Sequence, residues 1–111
     1  MLDSLISFDA KDLKSADSWS FSHGNDHTHV RGAMEAQSFG NLVDYQLWPL
    51  PWENYKTWEL RHQSAHNETN QALGLVSTDL TGVDFTDEKA AAEWHLRHYS
   101  DHVNWHEKLG I

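Results

Sequence analysis

Trp94, His98, His102 and Trp105 follow one another at steps of four, four and three residues, and His106 and Leu109 stand four beyond His102 and Trp105. At about 100° per residue such positions share one broad helical face. Leu96, Tyr99 and Val103 flank that face, and Glu93, Arg97, Asp101, Asn104 and Lys108 fall opposite, on what reads as the solvated side. Trp58, His62, His66 and Leu73 repeat the pattern upstream. The stripe that should be buried therefore carries histidine. Gly74 and Gly110 stand just past the last periodic residues, where a left-handed cap is common. Thr86-Asp87-Glu88 supplies a cap and first-turn acids, and Pro51 suits a first helical position. The pattern predicts helices near 13–37, 52–73 and 87–109. The first is the least regular, because Gly24 and Gly32 interrupt it and His23-Gly24-Asn25-Asp26 reads as a turn-like breaker.

These helices are related. Trp58-Glu59-Leu60-Arg61-His62-Gln63-Ser64-Ala65-His66 returns 36 positions later as Trp94-His95-Leu96-Arg97-His98-Tyr99-Ser100-Asp101-His102. Leu73-Gly74 then falls on Leu109-Gly110, giving eight identities over the eighteen positions 58–75. Chance at ordinary residue frequencies gives roughly one. A weaker copy, Trp19-Ser20-Phe21-Ser22-His23 through His27, keeps the Trp, the Leu or Phe and both His. The expected fold is all-α: a small three-helix domain over 13–111, built from Trp/His-containing repeats, with residues 1–12 as an N-terminal arm.

The linkers are long for a helical bundle. Ser38–Leu50 holds Leu42, Val43, Tyr45, Leu47 and Trp48, and Ser77–Thr86 holds Leu80, Val83 and Phe85. Both are too apolar to hang in solvent, so they should run in extended form across the helices or across a partner. Leu2, Leu5, Ile6 and Phe8 form a small cluster that either tucks onto the core or docks on a neighbouring subunit.

Composition narrows the function. The chain has 111 residues, enough for one domain, and a formal charge of −9. That balance argues against nucleic acid and against acidic membrane surfaces. No apolar run nears the roughly 20 residues of a membrane span, and the acidic start is unlike a signal peptide, so a soluble protein made in a cytoplasm is expected. The absence of Cys removes disulfides, thiolate nucleophiles and Cys-based zinc sites.

The frame of a Trp-rich, His-bearing helix, Asn41-Leu42-Val43-Asp44-Tyr45-Gln46-Leu47-Trp48-Pro49-Leu50, a second such helix, Leu80-Thr81-Gly82-Val83-Asp84-Phe85 and a third helix ending in Leu-Gly-Ile resembles small virion-associated proteins of tailed bacteriophages, over roughly 17–111. The resemblance implies a non-enzymatic structural component of a virus particle: a head–tail connector, tail adaptor or decoration subunit. It would be made in the host cytoplasm, sit in the virion, and dock on other virion proteins and on copies of itself. It implies no cofactor and carries over no catalytic residues.

Nine His are the compositional anomaly. His23/His27, His62/His66 and His98/His102 each have i, i+4 spacing, which places two imidazoles on one face. Core histidines bonded across helices beside the Trp rings are one reading. A second is a metal-binding module in which His62, His66, His98 and His102 hold a tetrahedral zinc ion. A third is an interface that charges between pH 5 and 8. Metalloprotease chemistry is disfavoured, because no Glu follows the first His of any pair. Ser64 and Ser100 lack the setting of a nucleophile, so no enzyme is expected. Arg61 and Arg97 read as solvated or paired with acids such as Glu68 or Asp101. Trp19, Trp58 and Trp94 read as core anchors. Trp48, Leu50, Trp52, Leu80 and Phe85 are the candidate partner-binding residues, since buried Trp dominates binding surfaces.

Overall fold

A computed structural model describes residues 2–9, 11–39 and 55–111. A short 3-10 helix, Leu2–Leu5, is followed by α1 (Leu13–Ala36), α2 (Tyr55–Leu73) and α3 (Glu88–Leu109). The all-α fold of three related helices is as the periodicity predicts. Asp12 and Asp87 cap α1 and α3, each accepting from two backbone amides of the first turn. Gly74 and Gly110 are left-handed, with φ of 73° and 69°. That conformation costs a side-chain-bearing residue energy that glycine does not lose. Pro51, the expected start of the second helix and most of the 38–50 linker lie outside the described residues. So do Trp48, Leu50 and Trp52.

α1 departs from expectation in one respect. It runs unbroken through Gly24, Asn25 and Gly32, so His23–Asp26 is mid-helix and not a breaker. Each internal glycine costs about 1 kcal/mol against alanine. Burial of Ala16, Trp19, His23, Val30 and Met34 along one face outweighs that.

Two apolar clusters lie along the bundle. One gathers Phe8, Ala16, Trp19, Trp58, Ala65, Leu80 and Trp94. The other gathers Val30, Met34, Leu73, Trp105 and Leu109. The N-terminal segment belongs to the first cluster: Leu5 is buried, and the Trp19 indole N–H donates to its carbonyl at 3.2 Å. Leu80 is placed the same way, with the Trp94 indole N–H donating to its carbonyl at 2.8 Å. Gln63 accepts from the Leu80 amide and donates to the Thr78 carbonyl, which pins the linker across α2 and α3. Leu80, expected at a partner-binding surface, is therefore part of the chain's own core, at 2% exposure. Phe85 is half-buried and meets Trp94 edge-on at 4.9 Å, so it too packs inward. The repeated Leu or Phe points outward instead of flanking the core. Phe21, Leu60 and Leu96 are all exposed. No helix among the described residues is long and apolar enough to cross a membrane.

The parallel between Leu5 and Leu80 extends the repeat. Nine of the 23 residues 5–27 recur identically at 80–102: Leu5, Asp9, Asp12, Lys14, Ala16, Trp19, His23, Asp26 and His27. Asp9 and Asp84 each accept from the amide two residues on, and Asp12 and Asp87 each donate their amide back to the Asp9 and Asp84 carbonyls. The repeating unit is thus a buried Leu, an Asp turn, a capping Asp and the Trp/His helix.

Leu80→Ala and Leu5→Ala should each cost about 2–4 kcal/mol, as large-to-small core changes do. Urea denaturation followed by Trp fluorescence measures this. A cost below about 0.5 kcal/mol for Leu80→Ala would mean that the linker does not pack on α3.

Candidate metal centre

Between the two apolar clusters, each helix contributes its i, i+4 histidine pair. The first His of each pair stacks flat on the Trp four residues before it. Trp19–His23, Trp58–His62 and Trp94–His98 have ring centroids 4.5, 4.5 and 4.6 Å apart and interplanar angles of 8°, 10° and 6°. The indoles thus set the plane of three imidazoles and form an apolar floor beneath them. The second His of each pair, His27, His66 and His102, makes a further layer. Trp105 closes that layer, 5.4, 4.5 and 4.5 Å from the three rings. Five of the six histidines have no solvent exposure, and His27 is partly exposed.

The lower three Nε2 atoms form a triangle. His23 to His98 is 2.9 Å, His62 to His98 is 3.0 Å and His62 to His23 is 3.1 Å. His27 Nε2 stands 2.9 Å above His23 Nε2. Donor atoms of His23, His27, His66, His98 and His102 all lie within 4.8 Å of one another. His62 falls outside that mutual limit but touches two of its members.

The four histidines picked as zinc ligands, His62, His66, His98 and His102, are all in this cluster. They are not an isolated set, because His23 and His27 complete it. Nitrogens held about 2.1 Å from one ion are about 3.0 Å apart at right angles and about 3.4 Å apart in a tetrahedron. The observed 2.9–3.1 Å edges match the right-angle geometry of a six-donor octahedron.

Hydrogen bonding among the rings cannot satisfy this arrangement. A neutral imidazole Nε2 is either protonated, a donor, or bare, an acceptor. A bond needs one of each. Among three mutually touching nitrogens two must be alike, so one edge always sets N–H against N–H or lone pair against lone pair. The Nδ1 atoms of His23, His62 and His98 are also buried without partners.

The upper layer is oriented by carboxylates. His66 Nδ1 lies 2.8 Å from Asp101 Oδ2, and His102 Nδ1 lies 2.7 Å from Asp26 Oδ2. A carboxylate at Nδ1 selects the Nδ1–H tautomer and leaves Nε2 as a bare lone pair. Both Nε2 atoms are buried with no hydrogen-bond partner. Asp26 also accepts from His106 Nε2 at 2.7 Å. Asp101 also accepts from Asn70, which in turn accepts from the Trp105 indole. Periodicity alone places Asp101 on the solvated side, among the acids open to Arg61 and Arg97. It is instead buried against α2, because the helix turns a wider face inward than an apolar stripe marks.

His23, His27, Asp26 and Asp101 are what the four-ligand reading omitted. The match of 5–27 with 80–102 carries the signal for them, since it aligns both His and the intervening Asp.

Burial drives the chemistry of protonation here. It lowers His23, His27, His62, His66 and His98 well below the ordinary imidazole value, and neighbouring imidazoles add to the effect. Burial lowers His102 as well, partly offset by Asp26. Burial raises Asp26, but its bonds to His102 and His106 outweigh that and hold it below the carboxylate range. Burial raises Asp101, with Asn70 offsetting part of the shift.

No family model, curated protein or solved structure matches the chain. Function has to be read from the side chains themselves.

The folded-state pKa of these histidines lies below the unfolded value of about 6.5, so under that pH the unfolded chain binds protons that the native core excludes. Stability should be full above about pH 7 and fall as pH drops. Each such histidine removes about 1.4 kcal/mol per pH unit, so five remove about 7 kcal/mol, comparable with the whole stability of a small domain. The metal-free chain should therefore unfold within about a unit or two below pH 6.5. Thermal melts in chelator from pH 8 to 5 check this. A melting temperature flat across that range would contradict the neutral buried cluster.

Proposed function

We propose that this protein is a metal-binding helical module. It holds one divalent first-row transition-metal ion in a shell of six imidazoles: His23, His62 and His98 below, and His27, His66 and His102 above. The observation that carries this reading is the Nε2 triangle, whose 2.9–3.1 Å edges leave at least one contact unsatisfiable by hydrogen bonds. An ion at the centre takes all the lone pairs at once. The two buried, partnerless Nε2 atoms of His66 and His102 support it from the other side. Imidazole donors suit Fe, Co, Ni, Cu and Zn. The right-angle spacing favours ions that accept six-coordination, Fe2+, Co2+ or Ni2+, over the tetrahedral habit of structural zinc. Asp26 and Asp101 place two carboxylates behind the ligands, where they raise ligand basicity and offset the ion's charge. Six protein donors fill the shell, which suits holding an ion or moving an electron better than hydrolysis at an open position.

Native mass spectrometry and metal analysis of untagged protein should give one ion per chain, removed by dialysis against a strong chelator. X-ray absorption should return about six nitrogen neighbours. At free ion about a thousandfold above Kd, binding adds about 4 kcal/mol, so chelation should lower Tm by about 20 °C. Chains that stay metal-free after incubation with Fe2+, Co2+, Ni2+ and Zn2+ would overturn the reading. Asp101→Asn should weaken binding 10- to 100-fold while the fold persists, as loss of an orienting carboxylate does. Competition against a calibrated chelator, alongside circular dichroism, reads both.

A further inference from the structure

The upper histidine layer is supported in a cycle with one place missing. Asp26 on α1 holds His102 on α3, and Asp101 on α3 holds His66 on α2. Each of these acids directly precedes the second His of its own helix. By the same succession, residue 65 on α2 would hold His27 on α1. Residue 65 is Ala65, buried like the two acids but with no carboxylate to offer.

Three further observations fall at the same place. His27 is partly exposed, while the other five histidines have no exposure. α3 packs closely against both α1 and α2, whereas α1 and α2 approach one another less closely among the described residues. And the polar contact of His27 to the cluster is at Nε2, 2.9 Å from His23, while its ring lies 4.8–5.7 Å from those of His62, His66, His102 and Trp105.

Building on the six-imidazole centre, we propose that His27 is its exchangeable ligand and the port by which the ion enters and leaves. When the bond from the ion to His27 Nε2 breaks, the ring swings toward solvent along the α1–α2 seam. The oxygen of a water molecule, or another small neutral or anionic donor, then takes the vacated position. His102 and His66 cannot move in this way, because Asp26 and Asp101 tether their Nδ1 atoms and neither ring has any solvent exposure. The centre is thus a five-imidazole clamp with one gate.

Co2+ is the probe, since its visible spectrum reports coordination. The wild-type chain, His27→Ala, His102→Ala and Ala65→Asp are loaded with Co2+ and mixed with excess chelator, and release is timed. His27→Ala should still take up one Co2+ per chain, lose it at least tenfold faster, and change its spectrum saturably as free imidazole is added. His102→Ala should show no such saturable response, because its vacancy is sealed. Ala65→Asp should slow release by about tenfold or more. A slower release cannot be imitated by misfolding, so this variant tests the proposal even where His27→Ala folds poorly. Release from both His27→Ala and Ala65→Asp within twofold of wild type would overturn the gate and leave the metal centre standing. A wild-type chain that takes up no Co2+ would remove the centre, and the gate with it.

Discussion

Six imidazoles are crowded into the middle of a three-helix bundle, and three of them bring their Nε2 atoms within about 3 Å of each other. This crowding is the constraint on which the rest of the structure depends. Polar side chains are normally buried only when paired. Here pairing is geometrically frustrated, because three nitrogens that all touch cannot alternate as donor and acceptor. A core built around such a conflict needs either a tolerance for lost hydrogen bonds or a guest that resolves it. The buried lone pairs of His66 and His102 lie on the same side of that choice.

The surrounding residues serve the cluster from two directions. Below, each Trp stacks on the His one turn further along its own helix, so ring planes are fixed by a contact local to each repeat. The indole N–H then reaches across to the carbonyl of Leu5 or Leu80, which draws the N-terminal segment and the 77–86 linker into the core. Above, orientation comes from neighbouring helices through Asp26, Asp101 and the Trp105–Asn70 relay. The lower layer is therefore set by sequence-near contacts and the upper layer by contacts between helices. Replacing a lower Trp should loosen the fold and the site together, while changes behind the upper layer should act on affinity.

The repeat explains why the site has near-threefold character, and its imperfections explain where it does not. Two of the three helices place Asp before the second His, and the third places Ala. Two of the three Trp-bearing helices have a buried Leu fourteen residues before the Trp. A duplicated unit supplies the framework of a six-donor shell at once, and single substitutions then distinguish its sides.

How much of this was legible in the chain follows from which interactions are local. The three helices, their Asp and Gly caps, the Trp/His stripe and the pairing of His at i, i+4 were readable from periodicity, because a helix fixes which residues share a face. The sequence by itself also determined that histidine would be buried, since His62, His66, His98 and His102 lie on the same stripe as Trp and Leu. Tertiary structure alone decided that α1 continues through Gly24, since burial of Trp19 and His23 outweighs a local propensity. It decided that Asp101 turns inward to His66, and that Leu80 and Phe85 face the chain's own core. It also decided that three pairs, not two, meet between the apolar clusters, with Nε2 separations of 2.9–3.1 Å among His23, His27, His62 and His98. Spacing along a helix specifies direction, and only the packing of three helices specifies the distance between rings on different ones.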